Sequence, residues 1–146
     1  MIRTTICAVA CAVMLPVVAA QDPCALLSKA DIAKATALTV GTGESSPPIP
    51  GTLGKCTWTA GATRVIVTLT DARHMDITIK AQTQSGGSPV QGLGTSAVGI
   101  KAAGFAGGGY IVSVLDASGG FGVSILGAQG NRDRAVALAK IVATHR

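Results

Sequence analysis

The sequence predicts an α+β domain: an antiparallel sheet of about five strands, covered by two or three helices and fastened by one disulfide. Three observations support this. Short runs of β-prone residues are joined by glycine-containing turns of hairpin length, at 60–63 and again at 116–120. Stretches with helix-capping residues and apolar stripes precede the first of these runs and follow the last. Two cysteines, Cys24 and Cys56, remain once an export leader is set aside, and exported cysteines ordinarily pair.

The leader is read from residues 1–20. Arg3 supplies a positive start, 6–18 is an apolar run broken only by Pro16, and Val18-Ala19-Ala20 offers small residues for cleavage. The run is shorter than the roughly 20 residues a membrane span requires. Cleavage after Ala20 leaves Gln21 first, and residues 21–146 are expected to form a single domain with its own core. A lipid-attachment reading fits poorly, because Cys11 lacks an adequate apolar run before it and Cys24 follows Gln21-Asp22-Pro23. The expected location is therefore periplasmic or extracellular.

Charge narrows the partners. Lys and Arg number 12 against 7 Asp and Glu, a net charge of +5, but the positives are scattered along the chain. Beyond the leader the only aromatic residues are Trp58, Phe105, Tyr110 and Phe121. Nucleic-acid binding calls for clustered charge with stacking aromatics, so that class is set aside in favour of a solvated surface.

Taken in order, Ser28-Lys29-Ala30-Asp31 has the spacing of a capping box, with Leu27 and Ile32 placed as a hydrophobic staple. Ile32, Ala35 and Leu38 continue an apolar stripe, so a helix is expected over 28–38, with Gly41 as its stop. Residues 41–54, rich in Gly, Pro, Ser and Thr, read as a loop. Residues 55–59 and 64–70 read as two strands of a hairpin, and Cys56 and Trp58 share a face by the period of two. That face is the one the first helix is expected to cover. Residues 71–85 are ambiguous: Met75, Ile77, Ile79 and Ala81 alternate as in a strand, whereas Asp71 is placed to cap a helix. Three further strands are expected at 97–102, 110–115 and 121–126, with Ile111, Val114 and Leu115 set against Val123 and Ile125. Asn131 caps a last helix carrying Ala135, Leu138, Ala139 and Val142 on one stripe.

Little chemistry is legible. Gly92-Leu93-Gly94 and the glycines of 104–109 lack the Lys-Ser/Thr and the helix that a phosphate loop requires. The two histidines, His74 and His145, have no metal-ligand spacing to another donor, so neither metal nor cofactor is expected. Asp31, Asp116 and Asp133 have capping or turn roles, and no serine stands in a nucleophile-elbow context. His74, with Asp71 and Asp76 near it in sequence, is the remaining catalytic candidate. The 32-residue separation of Cys24 and Cys56 argues for a structural bridge over a redox pair, which ordinarily uses Cys-x-x-Cys.

Asp22-Pro23-Cys24-x-Leu26-Leu27-Ser28, then Cys56-x-Trp58, then Gly92-Leu93-Gly94 and an Ala-rich terminal helix resemble a broad group of bacterial exported domains. Many of these are lipid-anchored, and they open with a Cys-x-Leu-Leu-Thr helix start. This chain differs from that pattern in Ser28 for the usual Thr and in Thr95 where an aspartate often follows the second glycine. The resemblance implies a helix-to-sheet bridge between the two cysteines and a helix over 72–84, and it carries no catalytic residues. The functional expectation is a non-catalytic binding or accessory module of the cell envelope, whose partner is either an envelope protein or a small ligand. The alternatives are an envelope hydrolase with a site near His74 and a purely structural accessory protein.

Overall fold

The computed structural model describes residues 20–146, so all but the last residue of the expected leader lies outside the described residues. The helices are α1 (Lys29–Thr36), α2 (Ala72–Gln84) and α3 (Arg132–Thr144). The strands are β1 (Glu44–Ser46), β2 (Gly54–Ala60), β3 (Thr63–Thr70), β4 (Ser88–Pro89), β5 (Ser96–Lys101), β6 (Gly109–Asp116) and β7 (Gly119–Leu126). They form one antiparallel sheet in the order β1-β2-β3-β7-β6-β5-β4. The expected α+β class holds, but the sheet has seven strands rather than five. The additions are edge strands of three and two residues, inside segments that composition marks as loops.

Register explains which face is buried. Cys56 pairs with Val67 and Trp58 with Val65 across β2 and β3, and Val65 and Val67 face Ile125 and Val123 of β7. Tyr110, Val112 and Val114 of β6 then oppose Ile125, Val123 and Phe121. All of these side chains lie on one face and are buried with Leu138 and Val142 of α3. Full burial of each large apolar side chain contributes about 1.5–3 kcal/mol, so this face is the dominant core. The apolar set expected on β6 is corrected accordingly. Val114 faces the core, while Ile111 and Leu115 pair with Ser124 and Gly120 on the opposite face.

The opposite face carries α2. Met75 and Ile79, one helical turn apart, are buried against Val98 with Leu115 packed alongside. A Cβ at Gly120 would lie 2.3 Å from Met75 Cβ, so a glycine there is what lets the helix sit this close to β7. The helical option for 71–85 is the one formed, as α2 over Ala72–Gln84, and it leaves Ile77, the residue that completes the alternation, 55% exposed.

α1 ends earlier than its apolar stripe suggests. Ala37 takes the left-handed conformation (φ 58°) and closes the helix through its N–H to Ala33 O, so Gly41 is not the stop. Thr36 contributes to this end, since its hydroxyl donates to Ile32 O and its Oγ1 accepts from Leu38 N–H.

Candidate functional site

The two cysteines are joined. Cys24 and Cys56 form a disulfide with Cα atoms 5.1 Å apart, closing a 32-residue segment. Cys24 lies in a short 3-10 turn, Pro23–Ala25, capped by the Asp22 carboxylate accepting from Cys24 N–H at 2.9 Å. This turn, rather than α1, rests on β2 and β3, while α1 packs on α3. The bridge therefore fastens the segment before the first helix to the sheet. Leu26, Leu27 and Ile32 are buried in one cluster with Trp58 of β2 and with Leu138 and Val142 of α3.

His74 stands in the first turn of α2, at the rim of a groove of about 390 Å³ on the face that α2 only partly covers. Its Nδ1 is 2.5 Å from Asp71 Oδ2, and the other Asp71 oxygen accepts from His74 N–H at 2.9 Å. These bonds, the backbone one first, hold the Asp71 carboxyl below the ordinary carboxylate range. Asp76, the second acid near His74 in sequence, is instead paired with Lys80 at 2.6 Å. Thr68, Ser113 and Ser124 bring hydroxyls to the groove, beside Gly122 and Ile111. Gln82 lines it too, and its Oε1 is buried without a hydrogen-bond partner. Asp71 and His74 thus come together, but Asp76 does not join them. Among the described residues no three metal-donor side chains cluster.

A second, larger cavity of about 810 Å³ opens at the β5 edge, beside the start of α3. β4 pairs with β5 only at Val98 and Gly99, so Ile100 and Lys101 have no strand neighbour on that side. Lys101 and Arg132 line the cavity together with Tyr110, Gly99, Ile100 and Asn131, and no acidic residue does. Tyr110 is 7% exposed, yet it borders this space and its hydroxyl has no hydrogen-bond partner among the described residues. A Cβ at Gly99 would lie 2.7 Å from Tyr110 Cε1 and 2.8 Å from its hydroxyl, so the phenol tip packs against a glycine of the cavity wall. Reading along the chain misses this site. Lys101 and Tyr110 sit on adjacent strands separated by a glycine-rich loop, and Arg132 comes from a helix 22 residues beyond Tyr110. The only local signal is the Asn131 cap, whose side chain accepts from Arg134 N–H at 3.0 Å.

Compared with protein families, curated proteins and solved structures, the chain finds no match. No described helix is long and apolar enough to cross a membrane.

Proposed function

We propose that this chain is an exported, non-catalytic binding domain of the cell envelope, akin to the Cys-x-Leu-Leu-Thr group it resembles, and that it captures a small ligand. The observation that carries the binding reading is the open cavity at the β5 edge. It is concave and rests on strand and helix termini of a rigid sheet, and it presents polar groups that the fold leaves unengaged. The leader pattern and the disulfide support the location, since both belong to an oxidising compartment.

The test is capture of a small molecule. The mature protein is incubated with a small-molecule extract of the envelope, gel-filtered and examined by native mass spectrometry. A discrete adduct on the wild-type chain, lost when Gly99→Val drives Tyr110 into the cavity, is the expected result. Loss counts only if the variant keeps a cooperative thermal transition. An unliganded wild-type chain across extracts would contradict the proposal.

The Asp71–His74 contact favours a second reading, a hydrolase using the groove beside α2. An Asp-oriented imidazole is one part of the arrangement that activates a nucleophile. Ester or amide turnover by the wild type that His74→Ala abolishes would establish it in place of the first reading.

A further inference from the structure

We propose that the cavity at the β5 edge takes a small organic anion, a carboxylate or phosphate group on an apolar body. This deepens the binding reading above and rests on it. Lys101 and Arg132 are the only charged residues in the lining; both are exposed and neither joins an ion pair among the described residues. Asp133, the acid next to Arg132, lies outside the lining and serves the first turn of α3. Two positive side chains with no acid between them favour a negative guest.

Backbone geometry adds to this. α3 is 13 residues long, and its start, Asn131–Arg132, forms part of the wall. The Asn131 side chain takes Arg134 N–H and the Asn131 carbonyl takes Ala135 N–H. The N–H groups of Arg132 and Asp133 are left without helical acceptors, as at any helix start, and carry its partial positive charge.

The phenol of Tyr110 adds a free hydrogen-bond donor at the cavity wall. Its ring is largely buried, while its hydroxyl opens to the cavity and makes no hydrogen bond within the described residues. An anion oxygen between Lys101 and Arg132 accepts a bond from the hydroxyl. The Tyr110 ring, Ile100 and Ala103 then offer apolar surface to the remainder of the guest.

The experiment is a ¹⁵N–¹H titration of the oxidised mature chain with benzoate, phenyl phosphate and the neutral benzamide. Benzoate, phenyl phosphate or both should shift the amides of Ile100, Lys101 and Arg132, with dissociation constants near about 1 mM or tighter, and benzamide should not. Lys101→Gln with Arg132→Gln should weaken anion binding roughly tenfold or more, and Tyr110→Phe about fivefold, as loss of charge-assisted and neutral hydrogen bonds implies. Both variants must leave the rest of the spectrum in place. The relative response to benzoate and phenyl phosphate tells which acid group the site prefers. If benzamide shifts these amides as strongly as the anions, the anion assignment is overturned while the binding reading stands. If none of the probes moves them, the anion assignment is overturned, and the binding reading is decided by the extract capture described above.

Discussion

Arg146 ties three parts of the fold together through one side chain. Its Nε donates to Asp116 Oδ2 at 2.8 Å, in the β6–β7 hairpin, and its guanidinium stands 5.2 Å from the centre of the Phe121 ring. Its side chain is only 6% exposed and that of Asp116 19%, so this pair is far better shielded than the exposed Lys80–Asp76 bridge. Shielded pairs cost most when one partner is removed, since the other charge is left desolvated. Arg146→Ala should therefore lower unfolding free energy by about 1–3 kcal/mol, read from urea denaturation, whereas Lys80→Ala should change it by less than about 0.5 kcal/mol. Equal effects would show that the Arg146 contact is no more than a surface pair. In sequence, Arg146 reads as a positive charge favourable beside the helix end. Its reach to Asp116, 30 residues away, was invisible because hairpin and helix approach only after the sheet forms.

At the scale of the element, the helix starts were the most legible features because their signals are local. Ser28 Oγ accepts from Asp31 N–H at 3.0 Å, and Ser28 N–H donates back to Asp31 Oδ2 at 2.9 Å, completing the capping box read from the spacing. Bonds from the Ser28 hydroxyl and then its N–H hold the Asp31 carboxyl below its usual 3.8, and the Asp71 carboxyl at α2 is lowered likewise. A lowered carboxylate stabilises the folded state in full above the unfolded value near 3.8, and that contribution is lost as pH falls through the lower folded value. Far-UV circular dichroism and melting temperature should thus be flat from pH 7 to about 5 and fall below about 4, and Ser28→Ala should reduce stability by about 1 kcal/mol at neutral pH. An acid transition unaltered in Asp31→Asn would contradict this linkage. α2 itself was not settled by pattern. Met75, Ile77 and Ile79 alternate in sequence, but only Met75 and Ile79 are buried, a spacing that belongs to a helix. A single exposed isoleucine was enough to imitate a strand.

Across the whole molecule, the sheet centre could be read in advance and its edges could not. β3, β6 and β7 carry alternating apolar residues long enough to register as strands. Glu44–Ser46 and Ser88–Pro89 have no apolar face and pair only because longer neighbours template them. The cavity at the β5 edge was hidden for a related reason: it exists because β4 stops short, and its cationic residues converge from a strand and a distant helix. Among the described residues one covalent link reaches across this architecture, from the turn at Cys24 to β2 at Cys56, where Trp58 is buried on the same face. Closing a 32-residue segment removes unfolded-state freedom equivalent to about 3–4 kcal/mol, a large share of the roughly 5–15 kcal/mol that holds a domain together. The measurement that tests this account most directly is equilibrium denaturation of residues 21–146, purified without reductant, beside Cys24→Ser with Cys56→Ser. The account predicts no free thiol in the wild type and a loss of about 3–4 kcal/mol in the double variant. Two free thiols in the purified protein, or equal stability of the two chains, would contradict it.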